Sequence, residues 1–340
     1  MQAYGLKSLI EQLGYDVNFI DIESGTHFEG LRRSRRMYLT KLIERFFVPT
    51  GLTALKLHLK LRARFKNEFY GDLGLDSESV ANECVVIGSD EVFNFAQPTP
   101  WGFSTQLYGK VAGARRVISY AGSFGHTTFE DIQKFGVQEK IRSAMDTMYA
   151  TSVRDYNSAE IARKLLPGKD VSIHLDPALI YDFSDKIVEP NRKNKYVLVY
   201  TYPGRIKSTE EINAIKEIAR RKDLQIISVG FYFPWCDEVI VPHPFEVLGY
   251  FKNAEFIITD TFHGTIFSII NQSRFCTLIR KTNRQKLSAL LDMMGLSSQI
   301  ATNGKDIIDL SDSNPSFTEA FEKISIEREK SLTYVRSNLA

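Results

Sequence analysis

The feature that most constrains the fold of this chain is a short apolar run that passes through a polar turn into a helical pattern. The first half of the stretch at 256–264 has the composition of a strand that is buried on both faces of a parallel sheet. Apolar residues at Ile266, Phe267, Ile269 and Ile270 then follow helical spacing. A buried strand followed at once by a buried helix predicts an α/β fold with a parallel sheet.

The turn between this strand and this helix is a candidate anion site. The first amides of a helix lack intrahelical partners and the positive end of the helix dipole lies there, so phosphate or carboxylate binds readily. His263 stands at this position, where an imidazole acts as a general acid or as an anion ligand. The alternative is a histidine that only caps or packs the helix. Thr261, Gly264 and Thr265 belong to the same candidate site.

Strands and helices alternate along the rest of the chain in two blocks, separated by a polar, proline-containing stretch at 183–195. Each block has the pattern of a doubly wound, Rossmann-like α/β domain. A chain of 340 residues with 43% apolar content is long enough for two such domains. We predict domains at 1–183 and 195–315 and a terminal helix at 316–340, with the ligand cleft between the domains.

Three strands of the first block run into polar turns that are candidate walls of a site. Ser89 and Asp90 end the first of these strands, and Ser123 follows the second. Ligands of open parallel sheets bind beyond the carboxyl ends of the strands, where small residues allow a close approach. Arg154 ends the third strand, so its guanidinium can reach an anion, or it can pair with Asp155 or another acid.

Residues 31–70 carry eleven Lys and Arg side chains but only two Glu, interleaved with apolar residues at helical spacing. The pattern predicts two basic amphipathic helices, broken at Pro49 and Gly51 and inserted into the first domain. Such helices bind an anionic membrane surface or hold an anionic acceptor; the alternative is a solvated helical hairpin that covers the core. Nucleic acid is not expected as a partner, because the rest of the chain compensates this charge and contains no recognition motif.

Composition and cysteine spacing limit where the protein is expected to act and which covalent or metal sites it is expected to contain. The sequence has no run of about 18 apolar residues and no signal-peptide pattern, so we expect a cytoplasmic protein, with the inner face of the membrane as the place where the basic segment would bind. Cys84, Cys236 and Cys276 are scattered among apolar neighbours, which indicates reduced, buried thiols. No His-rich or acidic cluster has the spacing of a metal site.

Several of these motifs, in this order, resemble those of the polysaccharide pyruvyl transferase family. They are residues 88–94, 119–125, 152–155, 175–177 and 259–268, together with Asn283 and Arg284. The resemblance spans nearly the whole chain. It implies an architecture like that of GT-B glycosyltransferases, with two Rossmann-like domains and a terminal helix that folds back over the first.

The reaction that the resemblance implies moves a pyruvyl group from phosphoenolpyruvate to two hydroxyls of a sugar in a surface-polysaccharide precursor. The product is a pyruvate ketal, and no cofactor besides the donor is implied. Because the donor carries two anionic groups, its site needs an acid and several cations. The implied acid is His263, and the implied donor ligands are the amides after it, Arg154, and Arg280 or Arg284, with Asn283 beside them.

On the acceptor side, Asp90 is expected to orient or deprotonate a sugar hydroxyl, with a structural cap as the alternative. The expected partners are therefore phosphoenolpyruvate and a sugar, which is lipid-linked if the basic segment at 31–70 binds a membrane. Two other functions stay open. One is a nucleotide-sugar glycosyltransferase of GT-B type, which would use the same helix-terminal anion site. The other is a non-catalytic protein that kept the fold and uses its basic helices for contacts.

The chain departs from the family pattern at two places. Many relatives have Arg-Leu-His-Gly where this chain has Thr-Phe-His-Gly at 261–264, so the role of that arginine passes to Arg154 or Arg284, or the donor differs. Relatives also open with a strand and a glycine-containing loop, whereas this chain begins with a helical pattern at 2–13 and a predicted strand at 15–22. We expect the missing opening strand to lie upstream, in a longer chain.

Overall fold

The computed structural model describes residues 1–28, 49–75 and 83–339. Contacts divide them into two units: 1–28, 73–75, 83–181 and 325–339 form the first, and 49–72 with 182–324 form the second. Each unit is built around a parallel β-sheet, which confirms the predicted α/β class. The chain passes from the first unit to the second after Tyr181 and returns at Ser325, so the second half of the terminal helix belongs to the first unit.

The strands are, in chain order, β1 (Cys84–Asp90), β2 (Arg116–Gly122), β3 (Thr151–Val153), β4 (Val171–Ile173), β5 (Tyr196–Tyr200), β6 (Gln225–Val229), β7 (Glu238–Ile240), β8 (Phe256–Thr259), β9 (Phe275–Leu278) and β10 (Ile300–Ala301). The helices are α1 (Gln2–Gln12), α2 (Pro49–Arg64), α3 (Tyr70–Leu73), α4 (Phe129–Lys134), α5 (Gln138–Met145), α6 (Tyr156–Leu165), α7 (Pro177–Ile180), α8 (Thr209–Lys222), α9 (Pro244–Lys252), α10 (Phe262–Ile270), α11 (Arg284–Met293), α12 (Gly304–Ser311) and α13 (Thr318–Leu339).

The sheet of the first unit has the order β1-β2-β3-β4, with all neighbours parallel. Every residue of β2 after the first is buried, as expected for an inner strand covered on both faces. Helices α4 to α6 pack beside this sheet around one apolar core. Since parallel strands end at the same edge, Asp90, Ser123 and Arg154 are brought to one side of the sheet.

The strand predicted at 15–22 is wrong. The chain has no regular secondary structure there, and most of its side chains are half-buried or exposed. Its backbone is held by Gln106, whose side-chain amide donates to the Asp21 carbonyl (3.1 Å) and accepts from the Glu23 amide (2.8 Å). Ile20 packs against the apolar core of the unit. The alternating apolar pattern thus arises from packing on a loop, and periodicity alone does not distinguish that from a strand.

The second unit has a six-stranded sheet in the order β10-β9-β8-β5-β6-β7, again with all neighbours parallel. From β5 the chain proceeds outward through β6 and β7, then returns to the other side of β5 and proceeds through β8, β9 and β10. The strand order therefore reverses between β5 and β8. In open α/β sheets, ligands bind in the crevice at this switch point, beyond the carboxyl ends of the strands.

The described part of the predicted basic insertion interrupts the chain of the first unit but packs in the second. Arg64 Nη1 donates to the Val241 carbonyl (2.5 Å), and Asp72 lies 3.1 Å from His243. These contacts join the segment to the stretch after β7. The position of an insertion in the sequence therefore did not reveal which unit it would pack against, because that depends on distant partners.

The first of the two predicted basic helices falls at 31–48, outside the described residues. The second is α2, which includes both Pro49 and Gly51 and continues through a π-helical turn, Phe65–Phe69, into α3. Gly51 lies inside α2, so the predicted break at Gly51 is wrong, and Pro49 is the first described residue of α2. A proline is well tolerated there because the first helical N–H has no partner within the helix.

The last turns of the terminal helix α13 pack against the first unit. Tyr334 Oη donates to the Ser119 carbonyl of β2 (2.8 Å). Arg116, at the start of the same strand, donates to the Asn338 carbonyl (3.2 Å) and lies over the Tyr149 ring. A cation at the C-terminal end of a helix also interacts favourably with the helix dipole.

Candidate functional site

The turn after β8 begins α10 through a threonine cap. Thr261 Oγ1 accepts from the Gly264 amide (2.9 Å), and the Thr261 carbonyl accepts from the Thr265 amide (3.1 Å). The amides of Gly264 and Thr265 are therefore engaged within the helix start. The Thr265 side chain is fully buried and lies 3.1 Å from Thr277. These positions build the helix terminus, and direct ligand contact by Gly264 or Thr265 finds no support in their geometry.

Gly264 lets α10 approach β8 closely. A Cβ atom at this position would lie 2.1 Å from Thr259 Oγ1 and 2.7 Å from Thr261 Oγ1, far inside van der Waals contact. His263 is the second residue of the helix and is half-buried. Its ring lies 5.7 Å from that of Phe262 between centroids. The glycine thus fixes where His263 stands at the carboxyl end of the sheet.

Asp260, between β8 and the cap, is the centre of a polar cluster. Its side chain is fully buried, and Oδ1 accepts from Thr201 at the end of β5 (2.6 Å). Arg205 Nη1 donates to the Asp260 carbonyl (3.1 Å) and lies 3.6 Å from Oδ1, with the guanidinium over the Tyr202 ring. Burial raises the pKa of Asp260, which the hydrogen bond from Thr201 and the two neighbouring arginines oppose.

Arg280, beyond β9, is the second cation of this cluster. Its two terminal nitrogens donate to the two carboxylate oxygens of Glu211 at the start of α8, at 2.5 and 3.0 Å. Its Nε lies 3.9 Å from Asp260 Oδ2. The hydrogen bonds to Glu211 raise the pKa of Arg280, so the guanidinium stays charged. About a quarter of the side chain is exposed, so the cation still faces solvent.

Asn283 braces the loop that carries Arg280. Its side chain accepts from the Arg280 amide (2.6 Å) and donates to the Asp260 carbonyl (2.9 Å). The amide of this buried residue is therefore used by the backbone, so the predicted ligand role does not fit its contacts. Arg284 begins α11 and is exposed, without an ionic partner among the described residues. Between 280 and 286 the loop holds four cations and no acid.

In the first unit Arg154 is not free to bind a ligand on its own. Nη1 donates to Asp90 Oδ1 and to Asp176 Oδ2, both at 2.9 Å, and only 4% of the side chain is exposed. Burial alone would lower the pKa of Arg154, but the charges of Asp176 and Asp90 raise it overall. The ion pair that the sequence left open as an alternative is the arrangement present, and it corrects the predicted direct contact with the donor.

Asp90 ends β1 with its side chain about half exposed, so an acceptor can reach it. Arg154 contacts one carboxylate oxygen and leaves room at the other. The Ser89 hydroxyl beside it is buried and has no hydrogen-bond partner among the described residues. Ser123 Oγ donates to Asp155 (2.7 Å) and accepts from the Gly125 amide, so it holds the loop after β2 and is not available as a ligand.

A cavity of about 210 Å³ opens beside Asp90 in the first unit. Aromatic side chains form much of its wall, among them Phe95, Trp101, Phe103 and Tyr108. Its polar lining consists of the groups Asp90, Glu91, Asn94, Gln97, Thr99 and Ser104. Rings with a few convergent polar groups are typical of small-molecule sites.

Sequence reasoning missed Thr201, Arg205 and Glu211, and it quoted Asp260 only as part of a motif. Thr201 and Arg205 follow β5, so their position at a strand end was readable. What the sequence did not reveal is that β5 and β8 are neighbours, which brings Thr201 to Asp260 across 59 residues. Pairing of non-consecutive strands is a property of the whole sheet.

The described residues contain no metal-binding cluster, no membrane-spanning helix and no disulfide. No group of three or more His, Cys, Asp or Glu side chains there is arranged to hold a metal ion. No helix in those ranges is long and apolar enough to cross a membrane. Cys84, Cys236 and Cys276 are free thiols, and burial raises the pKa of each, to about 12 for Cys236.

Comparison with known proteins gives matches at the level of family and of fold. A family profile described as polysaccharide pyruvyl transferase matches residues 1–279. No curated protein sequence matches significantly. Among solved structures, the co-structure of S. aureus MnaA with UDP aligns over 99% of this chain and 93% of its own, at 12% identity and a TM-score of 0.50.

Two further structures align less closely. The glycosyltransferase SnogD from Streptomyces nogalater aligns over 99% of this chain and 94% of its own, at 12% identity and a TM-score of 0.40. An O-GlcNAc transferase from Thermobaculum terrenum aligns over 67% of this chain at 11% identity and a TM-score of 0.35, and this chain covers 46% of it. At these identities the likeness concerns the fold alone, which is Rossmann-like and of the GT-B type.

Proposed function

The chain belongs to the polysaccharide pyruvyl transferase family, and from that premise we propose that it transfers a pyruvyl group from phosphoenolpyruvate to two hydroxyls of a sugar. The product is a pyruvate ketal in a precursor of a surface polysaccharide. The observation that carries the proposal is the cluster at the switch point of the second unit, where Arg205 and Arg280 lie against Asp260, just before the helix start that carries His263.

This cluster suits a donor with a phosphate and a carboxylate. Arg280 is fixed by Glu211 and partly exposed, and Arg205 is more than a third exposed. Arg284 stands at the N-terminus of α11, where the helix dipole adds to its charge. Because guanidinium groups bind carboxylate and phosphate in a two-pronged geometry, three arginines can hold both anionic groups of one donor.

His263 is the proposed general acid. It gives a proton to the methylene carbon of phosphoenolpyruvate, which becomes a methyl group and leaves the adjacent carbon electron-poor. A sugar hydroxyl attacks that carbon and loses its proton, and the bond to the phosphate oxygen then breaks. A second hydroxyl attacks the same carbon to close the ketal. Of the two hydroxyl protons, one restores His263 and the other leaves on the phosphate.

The acceptor sugar is proposed to bind in the cavity beside Asp90. A sugar ring presents a C–H face that packs on aromatic rings such as Trp101, and hydroxyls that bond to carboxylates. Arg154 Nη1 donates to one carboxylate oxygen of Asp90 and fixes the position of this carboxylate, so Asp90 can orient the hydroxyl or relay its proton to the leaving phosphate. Asp90 as a structural cap is the competing role.

Phosphate release from phosphoenolpyruvate, measured with a panel of lipid-linked and free sugars, tests this proposal. We expect release only with the correct acceptor and a new methyl signal of the ketal in NMR spectra. His263→Asn should reduce kcat by about 10²-fold or more with an unchanged melting temperature. Full turnover in this variant would remove His263 from the mechanism, and absence of release with every sugar would contradict the donor assignment.

A nucleotide-sugar glycosyltransferase is the second candidate, supported by the shared fold with S. aureus MnaA, which was solved with UDP. Thermal unfolding separates the two, because a ligand that binds the folded state raises its melting temperature. A rise with phosphoenolpyruvate alone favours pyruvyl transfer, and a rise with UDP alone favours the glycosyltransferase. A rise with neither favours a non-catalytic role.

A further inference from the structure

The exposed side of α2 and of the turn after it carries cations and apolar side chains together. We call this surface the basic face. It consists of Lys56, Leu59, Lys60, Arg62, Lys66 and Tyr70, and each of these residues is exposed. Most of these positions recur at intervals of three or four residues, which places them along one side of a helix.

The opposite side of α2 is the one that packs on the second unit. Leu57 and Leu61 are half-buried, and the Leu61 side chain approaches Gly230. Further along, Phe69 is buried and its ring lies 5.9 Å from that of Phe245. The segment is therefore anchored by one side, and the basic face points away from those contacts.

Among the described residues, the acids near α2 pair with groups outside the basic face. Glu68 pairs with Arg64, and Asp72 pairs with His243. No acidic partner of Lys56, Lys60, Arg62 or Lys66 occurs among the described residues. Four unneutralised cations on one helix side match a surface of negative charge.

Apolar exposure is also concentrated here. Twelve large hydrophobic side chains are exposed in the described ranges, and four of them lie between Leu59 and Leu75. Leu59 and Tyr70, the two apolar members of the basic face, are 56% and 40% exposed. An acidic protein or nucleic acid partner explains the cations but not the aliphatic and aromatic groups between them. Lysines whose stems lie along apolar neighbours and whose ammonium groups reach outward are typical of helices that lie in a lipid interface.

We propose that the basic face binds the surface of an anionic bilayer, with α2 lying in the plane of the headgroups. Leu59 and Tyr70 enter the interface, and the lysines contact lipid phosphates. This inference does not depend on the proposed reaction, because it rests on α2 alone. Membrane binding is measured without donor or acceptor. The membrane proposal can therefore fail while the pyruvyl-transfer proposal holds, and pyruvyl transfer can fail while membrane binding holds.

Co-sedimentation with vesicles tests the proposal. We compare vesicles of phosphatidylcholine with vesicles that also contain phosphatidylglycerol, at about 0.1 M and about 1 M salt, where screening lengths are about 10 and 3 Å. The protein should bind the anionic vesicles at low salt, lose most binding at high salt and bind neutral vesicles weakly. Equal binding to both vesicle types, or none to either, would overturn the proposal.

A matched pair of triple variants locates the surface. The test variant replaces Lys56, Lys60 and Lys66 by Gln; the control replaces Lys110, Lys134 and Lys140, three exposed lysines of the first unit, by Gln. Both lose the same charge. The test variant should partition about tenfold or more weakly and the control less than about threefold. Similar losses in both would show that net charge, and not the basic face, drives binding.

A second variant checks the apolar contribution. Leu59→Gln with Tyr70→Gln removes two exposed apolar side chains without changing the charge. It should weaken binding severalfold and leave the melting temperature close to that of the wild type, because both groups are exposed. Wild-type binding here, with loss in the lysine variant, would indicate a purely electrostatic contact and overturn the interfacial placement of α2.

Discussion

Arg280 Nε and Asp260 Oδ2 lie 3.9 Å apart at the carboxyl ends of β9 and β8, and neither atom has a hydrogen-bond partner among the described residues. Both are buried, so the pair attracts across a gap that is too long for a hydrogen bond. The other two guanidinium nitrogens are held by Glu211. Arg280 is thus fixed by one acid and directed by a second, which orders a cation at the switch point of the sheet.

Two arginines of this loop should respond differently to the same substitution. Arg280→Lys loses one of the two hydrogen bonds to the buried Glu211, so we expect a loss of about 1–3 kcal/mol in the free energy of unfolding and weaker donor binding. Arg284→Lys should weaken donor binding without a loss of stability, because Arg284 is exposed and unpaired within the described residues. Urea unfolding and KM for phosphoenolpyruvate measure the two effects. Equal stability of both variants would contradict this distinction.

Arg154 should be a determinant of stability in the first unit. Arg154→Met removes the ion pair between Arg154 and the fully buried Asp176, and we expect a loss of about 3–5 kcal/mol in the free energy of unfolding. Arg142→Met is the control, since its ion pair with Glu139 is exposed and should contribute little to the free energy of unfolding. Denaturant unfolding of both variants checks the difference. Comparable small losses would mean that the buried pair is readily replaced.

Gly264 should tolerate no side chain. In Gly264→Ala the new methyl group would meet Thr259 Oγ1 at 2.1 Å, so the start of α10 has to move, at a cost of about 1–3 kcal/mol or more. Because His263 moves with it, kcat should fall as well. Gly71→Ala is the control: nothing lies within 4 Å of the position that its methyl group would take, and the substitution should be neutral or slightly stabilising. Thermal unfolding and turnover measure both variants.

His174 should make stability depend on pH. The imidazole lies 2.8 Å from Ser152 Oγ and 4.5 Å from the Tyr334 ring between centroids, and burial lowers its pKa to about 4. Between about pH 6.5 and 4 the unfolded chain binds a proton that the folded chain does not. Its contribution is therefore fully present above about pH 6.5 and is lost as pH falls towards 4, by roughly 3 kcal/mol in total.

Urea unfolding at several pH values, with His174→Gln as the comparison, measures this contribution. The charges of Glu327 and Lys330 act on His174 in opposite directions, and both remain in the variant. The difference between the two proteins should shrink from pH 7 to pH 5, because the variant lacks the proton uptake. A constant difference across this range would show that His174 titrates alike in the folded and unfolded chains.

Trp101 should affect the acceptor and not the donor. Trp101→Leu removes an aromatic wall of the cavity beside Asp90 and should raise KM for the sugar several-fold to tenfold, with KM for phosphoenolpyruvate unchanged. Tyr156→Leu, at a ring that is 77% exposed and outside the cavity lining, is the control. An equal rise of both KM values in Trp101→Leu would place the cavity outside the acceptor site.

Local sequence patterns were sufficient to predict the class of the fold and the order of most of its elements. Strands that are buried on both faces appear in the sequence as short apolar runs, and helices place an apolar residue every three to four positions. The alternation of these two patterns along the chain predicted parallel sheets and two Rossmann-like blocks. The strand-turn-helix at 256–271 was readable for the same reason, and its threonine cap and close glycine fix His263 locally. Such features depend on residues within a few positions of one another.

Which side chains meet was settled by the tertiary structure. The order β10-β9-β8-β5-β6-β7 places Thr201 and Arg205 next to Asp260. Arg154 forms an ion pair with Asp90, 64 residues away in sequence, in place of the predicted contact with the donor. In the tertiary structure α2 also packs in the second unit, and residues 15–22 pair with no strand of a sheet. Partners so far apart in sequence are chosen by the packing of the whole unit, which no local pattern encodes.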